Sequence, residues 1–202
     1  FNMAKACVQR RAQPPQLMAH DWQPQEVHLL KAADRLLVAP SISTASRREL
    51  EPEHLVLPHS YVGAHGPIRH VAVSASGEDV AVAGRRGALI YSFRRKRWRC
   101  FGDIRQERAL RVMGLLWIGK VLVMCCEEQD PDESGRLSHA LYFFPKYHLD
   151  KASLLLRHPL GARPLCMDAV GPFLLLATPS FDLALWRVTL KGELTPLSRP
   201  SL

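Results

Sequence analysis

From Ile68 onward the chain alternates short apolar runs with short polar turns, and helical periodicity is weak throughout. The segment IRHVAVSASGEDVAVAGRRGALIYSFRRKRWRCF predicts four strands, roughly Ile68 to Ser74, Asp79 to Ala83, Ala88 to Phe93 and Trp98 to Phe101. Their separators are Ser76-Gly77, Gly84 to Gly87 and Arg94 to Arg97, each short enough to join antiparallel neighbours as hairpins. The first two strands carry Val and Ala on both faces. A strand apolar on both faces has to be covered on both sides, which stacked sheets accomplish.

The pattern returns twice. Val112 to Ile118, Lys120 to Cys125, Ser138 to Phe144 and a weaker element near Ser153 to Arg157 form a second set. Pro164 to Val170, Pro172 to Ala177, Asp182 to Val188 and Glu193 to Leu197 form a third. First strands recur after about 44 and then about 52 residues, close to the roughly 40 to 50 of one four-stranded propeller blade. Upstream, Val27 to Leu30, Arg35 to Ala39 and His54 to Leu57 resemble most of another blade. The expected fold class is all-β: a WD-repeat-like β-propeller fragment of about three to four four-stranded blades. Residues 1–26 form an irregular N-terminal segment, and the blades run approximately 27–67, 68–111, 112–163 and 164–202. A β-sandwich is the competing architecture, but it favours cleaner alternation of apolar and polar residues. Val71, Val73, Val80, Val82, Leu116, Leu122, Leu174 and Leu176 are the expected core between blades. Three blades and part of a fourth do not readily close a ring, so the chain, which starts at Phe1 without an initiator Met, is expected to be a piece of a longer propeller.

Composition narrows the class. At 202 residues, 47% hydrophobic and 23% charged, the chain matches one ordinary globular domain and excludes disorder throughout. Its longest apolar stretch, Gly114 to Cys126, is interrupted by Lys120 and is too short to cross a bilayer as a helix. Arg10, Arg11 and two prolines stand where a secretory signal needs an apolar core, so a cytosolic chain is expected. The net charge of +8 is concentrated: Arg85 to Arg111 holds ten basic residues against Asp103 and Glu107. Such a patch attracts nucleic acid, anionic headgroups or an acidic protein face. Five cysteines without a CxxC pair signal neither a disulfide framework nor zinc. Cys100, Cys125, Cys126 and Cys166 lie in apolar stretches and are expected in the core.

Candidate chemistry is sparse. His59, His65 and His70 are clustered, but their spacing fits no ligand motif, and surface or turn positions are expected. No GxSxG, GxxxxGK[ST] or HExxH is present, and no catalytic residue, cofactor or metal is expected. Gly84-Arg85-Arg86-Gly87 reads as a tight turn. The run Arg94, Arg95, Lys96 and Arg97, followed by Trp98, fits a solvated hairpin turn, an import signal, a nucleic-acid patch or a membrane-facing loop. It is the candidate membrane or partner surface. Nucleic acid is the weaker partner reading, because no groove-reading or aromatic-interleaved element accompanies the charge. The acidic loop Glu127 to Glu133 reads as a solvated insertion.

Several of these stretches together resemble a known family. VAVSASGEDVAVAGRRG (Val71 to Gly87), YSFRRKRWRCFGDIRQE (Tyr91 to Glu107), GLLWIGKVLVMC (Gly114 to Cys125), FFPKYHLDKASLLLRHPL (Phe143 to Leu160) and GELTP (Gly192 to Pro196) are similar to the N-terminal propeller region of the Ric family, most of all its plant-type members. The likeness runs in the same order over roughly Val27 to Leu202. The WD signature is missing: no Gly-His precedes a blade, and Leu185-Trp186-Arg187 stands where a Trp-Asp pair would. The resemblance implies a subunit that pairs with an Rgp-type partner as a guanine-nucleotide exchange factor for a Golgi Rab GTPase. It also implies retrograde and intra-Golgi vesicle transport, and residence in the cytosol and peripherally on the Golgi membrane. Family members are much longer and carry a helical C-terminal region, and no family motif assigns exchange residues within the matching stretch. The implied activity is non-hydrolytic and belongs to the heterodimer, since exchange rests on differential binding and needs no nucleophile or metal. The alternative is a basic propeller scaffold for nucleic acid or a ribonucleoprotein, with an enzymatic propeller a distant third. Steep loss of binding with salt marks the scaffold reading.

Overall fold

A computed structural model describes residues 28–39, 52–129, 137–180, 182–189 and 194–198. The chain divides into two compact units after Ile68. In the first, strands β1 (His28–Lys31), β2 (Arg35–Ala39) and β3 (Glu53–Val56) form a three-stranded antiparallel sheet in sequential order. A seven-residue helix, α1 (His59–His65), follows Pro58, and Leu36, Leu55, Leu57 and Tyr61 are buried. The sequence reading has no counterpart to α1, because two turns are too short to display a 3.6-residue period.

The second unit is three four-stranded antiparallel meanders. The first comprises β4 (His70–Val73), β5 (Asp79–Ala83), β6 (Leu89–Ser92) and β7 (Arg97–Arg99). After a second short helix, α2 (Ile104–Ala109), come β8 (Arg111–Ile118), β9 (Val121–Gln129), β10 (Leu137–Pro145) and β11 (Leu156–Leu160). The last comprises β12 (Cys166–Val170), β13 (Phe173–Ala177), β14 (Leu183–Val188) and β15 (Leu194–Ser198). The first strand of the middle sheet adjoins the first strands of both others, so β4, β8 and β12 are the inner strands of successive propeller blades.

Alternation along the middle blade explains how it is covered on both sides. One face presents Trp117, Leu122, Met124, Cys126, Ala140, Tyr142 and Phe144 to the first blade, whose facing residues are small: Ala72, Ala81, Ala83 and Ala88 beside Ile90. The other face presents Ile118, Val121, Val123, Cys125, Leu141 and Phe143 to Leu174, Leu176 and Val188 of the last blade. Small residues against large ones let the sheets interdigitate at interior density. The Trp117 indole donates to the Ala72 carbonyl at 3.2 Å, pairing the one polar atom this aromatic brings inside. A register shift between Val112 and Gly114 marks a bulge, and a Cβ at Gly114 would stand 3.1 Å from the Met167 side chain.

Five of the eight expected core residues, Val80, Val82, Leu122, Leu174 and Leu176, are buried. Val71, Val73 and Leu116 are only half-buried, and Ala72 takes the inward position of β4. Cys125 and Cys126 are buried, whereas Cys100 and Cys166 are exposed, because each lies at a strand boundary. Glu127, Glu128 and Gln129 belong to β9 rather than to a loop, and Cys7, residues 1–26 and the acidic residues Asp130, Asp132 and Glu133 lie outside the described residues. The turn at Gly84 to Gly87 is as expected: Gly87 has φ +62° and a Cβ there would meet the Glu107 side chain at 2.3 Å. The last blade keeps one apolar face uncovered, with Val170, Phe173, Leu175 and Leu183 exposed. Among the described residues no helix is long and apolar enough to cross a membrane.

Candidate functional site

The basic run forms the turn between β6 and β7, as its spacing predicts. Arg94, Arg95 and Lys96 are exposed in the turn, Lys96 with φ +49°, and Arg97 opens β7, also exposed. The hairpin is held from within. Tyr91 packs edge-on against Phe93 at 5.3 Å and tilts against Trp98 at 5.0 Å, and the Phe93 amide donates to the Glu78 carbonyl at 2.9 Å. These contacts anchor the turn without using its four charges.

The connection leaving β10 brings the second half of the surface. Its first residues, Lys146 and Tyr147, sit beside the basic hairpin of the preceding blade, and the Lys146 amide donates to the Lys120 carbonyl at 2.9 Å. Three cations surround the Tyr147 ring: Arg95 at 5.1 Å, Arg99 at 5.2 Å and Lys146 at 5.4 Å from its centroid. Arg99 also donates through Nη1 to the Tyr147 carbonyl at 2.7 Å, while its Nε is shut off from solvent without an acceptor. Burial, reinforced by the charges of Arg95 and Arg97, holds the Arg99 guanidinium below its ordinary pKa. Lys146 is the compensated member. It pairs with the fully buried carboxylate of Asp79 at 2.5 Å and with Glu78 at 3.1 Å. Burial pulls its pKa down, and the two carboxylates more than reverse that, leaving it raised. Glu78, Ser92, Arg94, Arg95, Lys146 and Tyr147 line a cleft of about 230 Å³.

A larger groove of about 600 Å³ opens on α2, with Phe101, Leu110, Phe144 and Leu154 among its lining. Its acids are engaged. Glu127 pairs with Arg111 at 2.5 Å, and Glu128 binds both Arg157 and the Tyr142 hydroxyl. Burial and the bond to Glu128 push the Tyr142 phenol up to about 12. Burial likewise pushes the Cys125 thiol up to about 12 and Cys126 well above its ordinary value, so neither is a thiolate at neutral pH.

The three histidines go to different places. His59 is exposed at the start of α1, His70 is half-buried in β4, and His65 is buried against Tyr61 at 5.1 Å. Burial of His65 overturns the surface position expected for it: it shares a face of α1 with Tyr61, four residues earlier. Sequence reading isolates Arg94 to Arg97 but misses Arg99, Lys146 and Tyr147. Superposing the repeats would have found Lys146 and Tyr147, which occupy in the second blade the hairpin end that Arg94 to Lys96 occupy in the first.

Comparison with known proteins agrees with this architecture. A family profile described as the RIC1 second beta propeller domain matches residues 32–201. Curated relatives include the mouse guanine nucleotide exchange factor subunit RIC1, 36% identical over 96 residues, which is 46% of this chain and 7% of the mouse protein. The human subunit of the same name is 37% identical over 68 residues, 33% of this chain and 5% of the human one. The chain thus corresponds to a small part of the relatives it matches. Among solved structures, a complex of KlAtg21 with the coiled-coil of AgAtg16 superposes with a TM-score of 0.54 at 12% identity, over 87% of this chain and 53% of that one, a likeness of fold alone. The order of the blades, their inner strands and the profile spanning residues 32–201 together make the chain a member of the RIC1 family, in its second β-propeller domain.

Proposed function

We propose that this propeller serves in a guanine-nucleotide exchange factor that pairs with an Rgp-type subunit and acts on a Golgi Rab GTPase in retrograde and intra-Golgi transport. The observation that carries the reading is the family match over residues 32–201, together with relatives named as exchange-factor subunits. In this reading the propeller is a binding platform, and exchange follows from the assembled complex holding the nucleotide-free GTPase more tightly than the loaded one. The complex works at the cytosolic face of the Golgi membrane, and Arg94, Arg95, Lys96 and Arg97 touch that anionic surface, each contributing on the order of 1 kcal/mol. Exposure of the first three in one turn supports the contact.

The test is reconstitution. The full chain, co-expressed with an Rgp-type subunit, is expected to copurify with it, and the pair should accelerate GDP release from a Golgi Rab when neither subunit does so alone. Failure to pair, or release unaltered by the pair, would overturn the reading.

A further inference from the structure

We propose that Arg95, Arg99, Lys146 and Tyr147 form a recognition site for a phosphomonoester carried on a membrane-lipid headgroup, at the rim where the first two blades of the second unit meet. The proposal rests on the membrane-contact reading of the basic hairpin and assigns that contact a specific ligand.

Charge balance is the first observation. Five cations, Arg94, Arg95, Arg97, Arg99 and Lys146, gather about one ring and one cleft, and two acids, Glu78 and Asp79, lie among them. Both acids are taken by Lys146. Among the described residues no carboxylate pairs with Arg95, Arg97 or Arg99. Proteins ordinarily separate such charges or neutralise them, and this rim holds them together with Tyr147 at the centre.

Arg99 is the second. One of its nitrogens is committed to the Tyr147 carbonyl, and Nε is shielded from water with no acceptor. A guanidinium nitrogen shielded from water and left unsatisfied is a costly feature, which an anionic ligand reaching this half-buried side chain would relieve. The depressed pKa of Arg99 agrees: burial and two neighbouring arginines already tax its charge, and a dianion would relieve that tax.

Geometry selects the ligand class. Arg95, Arg99 and Lys146 lie 5.1 to 5.4 Å from the centroid of one ring, which gathers two forked guanidinium groups and one point charge at one rim. Terminal phosphate oxygens match that arrangement, because arginine binds phosphate through paired bonds and lysine as a point charge. Among the described residues the only acid lining the cleft, Glu78, is half-exposed and bound to Lys146. A lipid is the source that fits the surroundings: Arg94 and Lys96 project beside the cleft where an anionic surface adds to the phosphate contact.

Vesicle sedimentation of the full chain decides the matter. Phosphatidylcholine vesicles doped with a phosphatidylinositol monophosphate are compared with vesicles doped with phosphatidylserine to equal total charge. The phosphorylated lipid should bind on the order of tenfold more tightly, the equivalent of one charge-assisted hydrogen bond. Tyr147→Leu, at an exposed position outside the basic hairpin, should remove the preference while keeping the phosphatidylserine signal and the circular dichroism melt; Arg95→Gln should remove the preference and also lower the phosphatidylserine signal, since Arg95 belongs to the general membrane contact as well. Equal binding of the two lipids by the unaltered chain would overturn the site and leave the general membrane contact standing. Loss of binding to both vesicle types would overturn both. Saturation by soluble inositol phosphate with no added gain on vesicles would overturn the lipid assignment. A preference unchanged in Arg95→Gln and Tyr147→Leu would overturn the residues named.

Discussion

Leu122 shows what a single side chain contributes to this fold. It is fully buried in the face that the middle blade turns to the alanines of the first. Truncation leaves a cavity that neither neighbouring backbone can close, so Leu122→Ala should lower stability by about 2 to 5 kcal/mol, read as a fall in the urea midpoint. Tyr142 makes a different demand. Its folded-state pKa of about 12 lies above the ordinary 10.0. The folded state therefore favours the neutral phenol. Stability from this group is complete below about pH 10 and is lost as pH climbs to about 12. Tyr142→Phe should lack that alkaline decline, which urea titrations across the window will show. At this scale legibility was uneven. Val80, Val82 and Leu174 announced themselves as apolar residues in apolar strands, whereas the choice between Val71, Ala72 and Val73 turned on which face of β4 points inward. No single strand that is apolar on both faces carries that information.

Among the elements, the hairpins were read best. Asp79 to Ala83 and Arg35 to Ala39 were expected with the bounds they have, because Gly and short polar runs punctuate the chain where it must reverse. The helices α1 and α2, seven and six residues long, fell below the length at which periodicity speaks. The candidate site was half legible for a related reason. Arg94 to Arg97 are contiguous, but Arg99 and Tyr147 stand 48 residues apart and meet only because consecutive blades place their outer turns together. The hairpin itself yields a prediction. Replacing Arg94, Arg95, Lys96 and Arg97 with Ser should weaken binding to anionic vesicles at low salt and spare the fold, since Tyr91, Phe93 and Trp98 brace the turn from below. Unaltered vesicle binding together with an unaltered melt would return the run to a solvated turn.

For the whole molecule the uncovered face of the last blade matters most. Val170 is 67% exposed, and Phe173, Leu175 and Leu183 join it there, whereas the equivalent faces of the other two blades are packed or partly packed. Apolar faces of this kind drive association. The 202-residue chain in isolation should therefore self-associate in light scattering, and Val170→Thr with Leu175→Thr should shift it toward monomer. A monodisperse monomer from the unaltered chain would contradict the expectation.

The pairing of Ala72, Ala81, Ala83 and Ala88 with Trp117, Tyr142 and Phe144 limits how freely the blades can be exchanged. Propeller blades repeat one four-stranded plan, and identical copies would be interchangeable. Here the two faces of the middle blade are unlike, one cut for alanines and the other for Leu174, Leu176 and Val188. A blade moved one place round would bring bulk against bulk on one side and leave a gap on the other. The neighbours are fitted to each other face by face, so exchanging one blade for another would disrupt packing on both sides.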